Sequence, residues 1–190
     1  PGVDLILEGF SEKGRRLVSV NNAGAGEGER LVNLSVESGT YFLRVTNFSA
    51  TSPVSVYSLY FAVQDPATLV AETEVNNAGT PQLMPPSGYV SGVVDPVGDT
   101  DTFSFSATAG DTVFLSADLD PERDAAVDAN LFIGLGLFGT PANFLVTSDG
   151  GTADVIPSEG GGWTVKTTGL YQAFVGGQVA GVGGPAATYH

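Results

Sequence analysis

Short segments in which apolar and polar side chains alternate run through the whole chain, and glycine-rich stretches separate them. Residues 103–106 (Phe-Ser-Phe-Ser) and 113–117 have the period of two that is typical of half-buried β-strands. The same pattern occurs at 41–45, 57–63 and 171–175. No segment combines a helical period with capping residues. Many short strands at regular spacing predict an all-β chain built from antiparallel β-sandwich or jelly-roll modules.

The glycine-rich stretches predict turns at 22–28, 149–151 and 160–162. Residues 134–139 (Gly-Leu-Gly-Leu-Phe-Gly) share some features with a nucleotide-binding loop. They have neither a following helix nor the Lys-Ser/Thr pair that such a loop needs. We therefore interpret them as a strand in which missing side chains allow close packing or a bulge.

Composition and charge exclude several classes of partner. The chain has 190 residues, no cysteine and a formal charge of −14. Residues 1–66 carry 5 basic and 7 acidic side chains (net −2), and residues 67–190 carry 2 and 14 (net −12). So acidic a surface repels phosphate backbones and anionic lipid, which excludes nucleic acid as a partner. No apolar run approaches the ~20 residues that span a membrane.

Two groups of oxygen-bearing side chains predict a metal site. Glu72, Glu74 and Asn76 are spaced two apart, so on an extended segment they point the same way. Asp99 and Asp101 stand on a predicted tight turn just before an alternating strand. Carboxylate and amide oxygens are calcium ligands, and calcium tolerates irregular geometry better than magnesium does. The alternative is a solvated acidic linker followed by an Asp-rich turn.

The order of these motifs resembles the bacterial pre-peptidase C-terminal domain, a family similar to the collagen-binding domain of secreted clostridial collagenases. The resemblance covers roughly residue 69 to the end. The matching motifs are Glu-x-Glu-x-Asn-Asn from Glu72, Ser-Gly at 91–92, Gly-Asp-x-Asp-x-Phe-x-Phe from Gly98, Ala-Gly-Asp-Thr-Val at 109–113, Gly-Leu-Tyr at 169–171 and Ala-Thr-Tyr at 187–189.

The resemblance implies an antiparallel β-sandwich accessory module of an extracellular protein, in some members with calcium held between the linker and the Asp turn. Asn77 stands where the family often has Asp, which removes one charge from the site. The candidate calcium ligands that the resemblance implies are Glu72, Glu74, Asn76, Asp99, Asp101 and Ser91.

The chain also contains an imperfect internal repeat. Residues 3–7 resemble 127–133, residues 39–45 resemble 169–175, and residues 55–57 resemble 187–189. The repeat predicts that residues 1–64 are the C-terminal half of a first module, 65–70 a linker and 71–190 a nearly complete second module. Half a sandwich exposes an apolar edge. Either the chain is part of a longer tandem protein, or another chain supplies the missing strands.

No constellation in the sequence supports catalysis. His190 is the single histidine and the last residue, where a triad imidazole is rarely buried and oriented. Zinc would need nitrogen or sulfur ligands that the chain does not offer. The densest acidic stretch, 118–128, is predicted to be one loop, whereas a catalytic carboxylate pair flanks a cleft. Most aromatic side chains are predicted to lie in the core, and Trp163 is the best candidate for exposure.

These observations predict a non-catalytic, calcium-stabilised β-sandwich module for attachment or spacing in a secreted or cell-surface protein. Its expected partners are an extracellular polymer or neighbouring copies of the same protein, with no nucleic acid and no membrane insertion. The alternative is a subunit of a self-assembling extracellular filament, joined by strand exchange between chains.

Overall fold

The structure is a computed structural model that describes residues 3–21, 29, 31, 34, 36–48, 56–77, 79–119, 121, 131–137, 144–148, 158–177 and 182–190. These residues form thirteen β-strands and one three-residue 3-10 helix at Pro66–Thr68. The predicted all-β class is therefore confirmed, while the sandwich arrangement of the sheets stays a prediction. Within the described ranges, no helix has the length and hydropathy that crossing a membrane requires.

The chain divides into two compact units, which we call unit 1 (Pro1–Ala62) and unit 2 (Val63–His190). Unit 1 contains three antiparallel strands in the order β2-β1-β3. Among its described residues only Glu8, Gly9 and Val20 are buried. The strands are β1 (Leu5–Ser11), β2 (Arg16–Val20) and β3 (Tyr41–Asn47).

Ion pairs hold the strands of unit 1 together across its sheet. The buried Glu8 carboxylate accepts hydrogen bonds from Arg44 at 2.7 Å and from Arg16 at 3.2 Å. The hydrogen bond from Arg44 is the main reason that the pKa of Glu8 lies below its ordinary value. The Arg44 guanidinium also lies 4.7 Å from the centre of the Phe10 ring. Three strands are thus joined through one carboxylate.

Unit 2 contains a five-stranded sheet, β10-β9-β12-β7-β5, a pair β11-β8 and a three-stranded sheet, β13-β6-β4. All pairs are antiparallel except β4 with β6 and β5 with β7, which are parallel. The strands are β4 (Val70–Ala71), β5 (Gln82–Leu83), β6 (Val90–Val93), β7 (Thr100–Ala107), β8 (Thr112–Asp118), β9 (Leu131–Leu137), β10 (Phe144–Ser148), β11 (Ser158–Thr164), β12 (Gly169–Gly177) and β13 (Thr188–Tyr189).

The apolar core of unit 2 follows from the alternation along β7. Phe103 is buried in a cluster that includes Val94 and Tyr189. Two residues on, Phe105 packs against a second cluster and stacks on Tyr171 with ring centroids 6.2 Å apart. Because side chains two apart share a face, both rings pack on the same side of β7. Asp101, two residues before Phe103, is thereby carried into the interior.

The structure corrects three sequence predictions. Residues 160–162 are not a turn but part of β11, where Gly162 pairs with Phe114 of β8. Residues 57–63 form no strand, because no other described strand pairs with them. In unit 1 five aromatic residues that were expected in the core are exposed: Tyr41, Phe42, Tyr57, Tyr60 and Phe61.

The strand prediction for 134–139 is confirmed for its described part, because β9 extends to Leu137. A side-chain carbon at Gly134 would overlap the Phe174 ring, so the missing side chain does allow close packing. The predicted turns at 22–28 and 149–151 lie outside the described residues.

Candidate metal centre

Three strands of unit 2 bring distant polar residues to one place. β4 pairs with β6, and directly after β4 the Glu72 amide donates to the Ser91 carbonyl at 2.9 Å. β13 pairs with the other side of β6, so Tyr189 lies opposite Gly92. The segment that follows Glu72 reaches β7, where the Thr102 amide donates to the Asn76 carbonyl at 2.8 Å. The residue before Thr102 is Asp101.

The Glu72 carboxylate is fixed by three hydrogen bonds. Its Oε1 accepts from the Val93 amide at 2.5 Å. Its Oε2 accepts from the Tyr189 hydroxyl at 2.7 Å and from the Asn76 side-chain amide at 3.3 Å. Glu72 is therefore positioned by β6, β13 and its own segment, which is the geometry of a pre-organised ligand.

The carboxylates of Glu72, Glu74 and Asp101 converge. One oxygen from each lies within 4.8 Å of the others. Calcium–oxygen distances are about 2.3–2.6 Å, so oxygens separated by up to about twice that distance can share one ion. Glu74 is exposed, Glu72 half-buried and Asp101 fully buried. The cluster thus extends from the surface to the interior of unit 2.

Buried oxygen atoms in this cluster have no hydrogen-bond partner. Both carboxylate oxygens of Asp101 are in this condition, as is the side-chain oxygen Oδ1 of Asn76. The Tyr189 hydroxyl, although close to Asp101, has a single proton and donates it to Glu72. A buried carboxylate without a partner is costly, because it has lost its water and gained nothing in exchange. A bound cation would supply the missing interaction.

In the absence of a cation, electrostatics favours the neutral forms of Asp101 and Glu74. Burial, followed by the negative charge of Glu72, raises the pKa of Asp101 from 3.8 to about 8. Desolvation, with the charges of Asp99 and Glu72, also raises the pKa of Glu74. Burial and the charge of Asp101 raise the pKa of Tyr189, so its hydroxyl remains protonated and donates. A cation would reverse the effect on the two acids.

The donor set fits a hard cation. Every candidate ligand atom is a carboxylate or amide oxygen, and calcium is bound by such oxygens in flexible geometry. Magnesium demands a near-octahedral shell, which an irregular segment joined to a strand does not readily provide. Glu72, Glu74, Asp101 and Asn76 therefore form a set of oxygen donors that could hold a hard cation.

The remaining two predicted ligands lie around this cluster rather than in it. Asp99 Oδ1 accepts from the Thr100 amide at 2.8 Å, and its charge adds to the raised pKa of Glu74 and Asp101. Ser91 takes part through its backbone carbonyl, which positions Glu72. The structure therefore brings together Glu72, Glu74, Asn76 and Asp101, with Asp99 beside them.

Sequence reasoning missed Tyr189 and Gly92 as parts of this site. Tyr189 ends one of the motifs of the internal repeat. The repeat predicted a shared fold but gave no sign that Tyr189 contacts Glu72. At Gly92 a side-chain carbon would overlap both the Tyr189 hydroxyl and the Glu72 carboxylate. Gly92 is thus the position in β6 that allows the other two residues to meet.

The other candidate functional residues lie outside this cluster. The backbone of His190 exchanges two hydrogen bonds with that of Asp118, at 2.8 and 2.9 Å. Trp163 is only half-buried, and the Lys166 ammonium lies 5.3 Å from its ring centre. Most of the acidic stretch 118–128 lies outside the described residues.

Comparison with known proteins gives one weak likeness. No family model matches the sequence. No curated protein matches it either. Among solved structures, the chain is similar to the pre-peptidase C-terminal domain of a collagenase from Bacillus anthracis, at a TM-score of 0.37 and 18% identity, over 53% of this chain and 81% of that one. This likeness concerns the fold alone and identifies neither the family nor the activity of the chain.

Proposed function

We propose that the chain is a non-catalytic, calcium-stabilised β module that provides attachment or spacing in a secreted or cell-surface protein. The observation that carries the proposal is the Asp101 carboxylate, fully buried and without a hydrogen bond, beside the carboxylates of Glu72 and Glu74. Groups arranged in this way repel one another when they are ionised, and a cation bound between them would relieve that repulsion.

The proposed ion has a structural role. It would join the segment that carries Glu72, Glu74 and Asn76 to β7 through Asp101. It would also offset part of the charge of residues 67–190, which carry 14 acidic and 2 basic side chains. For a secreted or surface location, the expected affinity is that of extracellular calcium modules, with Kd about 10⁻⁴–10⁻³ M.

The same geometry supports a non-catalytic role. Asp101 is fully buried, so a polymeric substrate has no access to it. The pKa values of Glu74 and Asp101 are raised, as those of catalytic acids often are. Glu72, however, is held in place by hydrogen bonds within the protein. We therefore expect no hydrolysis of peptide or glycan substrates by this chain.

Thermal unfolding in calcium and in chelator tests the proposal. A ligand that binds the native state alone at a hundredfold excess over Kd stabilises it by about 2.7 kcal/mol. With a Kd of about 10⁻⁴–10⁻³ M, calcium at about 10 mM is in ten- to hundredfold excess, so it should raise the Tm of unit 2 by several degrees. Asp101→Asn should abolish most of that gain, because it removes the buried charge that the ion neutralises.

Asp111→Asn is the matched control for this test. It removes the same charge from unit 2, and an Asn side chain can still accept the turn hydrogen bond that Asp111 accepts from the Thr108 amide at 2.8 Å. The control should keep the full calcium response. Identical melting curves of the unmodified protein in calcium and in chelator would refute the proposal, as would an equal response of the two variants.

A further inference from the structure

Unit 1 repeats the strand pairing of one half of unit 2. The sheet β2-β1-β3 matches β10-β9-β12, with the register offset by 128, 126 and 130 residues in the three strands. Even the bulge is repeated, because the extra residue is Leu17 in β2 and Leu145 in β10. The matched central partners are Leu7 with Val20 and Val45, and Ile133 with Ser148 and Val175.

The two sheets differ at one edge. In unit 2, β12 has β9 on one side and β7 on the other. In unit 1, β3 has β1 on one side, and no described strand pairs with its other edge. As a result, side chains of β3 are more exposed than their counterparts in β12. Tyr41 is 38% exposed, whereas its counterpart Tyr171 is 1% exposed, and Leu43 is 38% exposed against 7% for Ala173.

Near the C-terminal end of unit 1, a side chain is again more exposed than its counterpart in unit 2. By the sequence repeat, Tyr57 corresponds to Tyr189. Tyr189 is 3% exposed and bonded to Glu72, whereas Tyr57 is 56% exposed. Within the described part of unit 1, nothing stands in the place of β6 or β7. Apolar and aromatic side chains that unit 2 covers are therefore left open in unit 1.

We propose that the edge of β3 with which no described strand pairs, from Tyr41 to Val45, is an acceptor for an extended strand with the chemistry of β7, supplied by another polypeptide segment. The strand would run antiparallel to β3, as β7 does to β12. By the register of unit 2, a Phe would lie opposite each of Tyr41 and Leu43, and an Asp opposite Val45. Main-chain hydrogen bonds would provide affinity, and the alternating side chains would provide specificity. This inference does not rest on the proposed calcium site.

A folded second copy of the chain is not the partner that this geometry indicates. Its β7 is held in the middle of a sheet, between β12 and β5. Releasing β7 would also remove Phe103 from the core of unit 2. The partner is therefore a segment with the pattern Asp-x-Phe-x-Phe that is not already paired in its own sheet.

Hydrogen exchange of the full chain with a synthetic peptide tests this. The probe is a peptide of residues 99–109 (DTDTFSFSATA), used in chelator so that its Asp residues do not compete through a metal. We expect amides along Tyr41–Asn47 to gain protection, while the strands of unit 2 keep theirs. A peptide with serine at both Phe positions should bind at least tenfold more weakly.

A chain variant separates edge pairing from non-specific adhesion. Leu43→Lys should weaken binding of the peptide at least tenfold and leave the melting of unit 2 unchanged. No gain of protection in β3 at millimolar peptide would overturn the proposal. Protection confined to unit 2 would do the same. Concentration-dependent association of the chain through β3, measured by light scattering, would assign the edge to a second copy instead and also overturn it.

Discussion

The Tyr189 hydroxyl donates a 2.7 Å hydrogen bond to Glu72 Oε2 across 117 positions of sequence. The bond joins the segment that follows β4 to the last strand, β13, and both strands flank β6. The position of Glu72 in the proposed metal centre and the link between β13 and the segment after β4 therefore depend on the same hydrogen bond.

Tyr189→Phe should destabilise unit 2. The substitution keeps the buried ring and removes a hydrogen bond to a charged group, which contributes about 1.5–3 kcal/mol. Tyr171→Phe is the control, because it removes a hydroxyl that donates to a neutral carbonyl, that of Thr167, at 2.5 Å. We expect the control to lose about 0.5–1.5 kcal/mol. Urea unfolding in chelator measures both losses, and a smaller loss at Tyr189 than at Tyr171 would contradict the role given to Glu72.

Gly92→Ala should disrupt the centre without changing its charge. The new methyl group would overlap the Tyr189 hydroxyl and the Glu72 carboxylate, so one of them must move. Overpacking of this kind costs about 1–3 kcal/mol. Thermal unfolding should show a lower Tm and a reduced gain from calcium. Gly169→Ala is the control, because a side-chain carbon there meets no atom within 4 Å. If both variants respond alike to calcium, the site is not built around Gly92.

The stability of unit 2 in chelator should fall as pH rises from about 4 to about 8. Asp101 has a pKa of about 8 in the folded state, against 3.8 as its ordinary value. Between these values the folded state holds a proton that the unfolded state has released, so stability is full below the window and lost above it. The slope approaches about 1.4 kcal/mol per pH unit for one proton.

Unfolding free energies from pH 5 to 8 measure this slope. Asp101→Asn should flatten it, because an amide does not titrate. Saturating calcium should oppose it, because the ion replaces the proton and binds more tightly as pH rises. A slope that is unchanged in the Asn variant would show that Asp101 is not the titrating group.

Gly134→Ala should destabilise unit 2 by about 1–3 kcal/mol, because the added methyl group would overlap the buried Phe174 ring. The corresponding pair in unit 1 is Glu8 and Arg44, so the repeat accommodates a side chain where its neighbour is not an aromatic ring. Differential scanning calorimetry against Gly169→Ala measures the effect. Equal stability of the two alanine variants would show that the Phe174 ring can move aside.

Much of the fold could be read from local patterns. The alternation at 103–106 and 171–175 predicted strands that the structure contains as parts of β7 and β12. Period-two alternation arises because successive side chains of a strand face opposite sides, so it is visible in a few residues. It failed at 57–63, where an apolar segment has no described partner strand. A different rule failed at 160–162, where the glycine-rich stretch predicted a turn but the residues belong to β11 and pair with β8.

The candidate site was predicted in part for the same reason. The spacing of Glu72, Glu74 and Asn76, together with the turn before Asp101, is a local feature and was recognised. The structure brings these four residues together and leaves Asp99 and Ser91 at their margin. The contribution of Tyr189 was not visible, because no local pattern connects two residues that are 117 positions apart.

The sequence by itself determined that this chain is all-β, strongly acidic, without thiol chemistry, and that it carries carboxylate side chains at 72, 74 and 101. The tertiary structure decided which of those carboxylates are buried away from water. Asp101 is buried because it shares a face of β7 with Phe103, which lies in the core, and Glu72 is fixed because β4 and β13 both pair with β6. Burial and strand order are properties of the assembled sheets, and they turn a spacing of carboxylates into a site with raised pKa values and unpartnered oxygens.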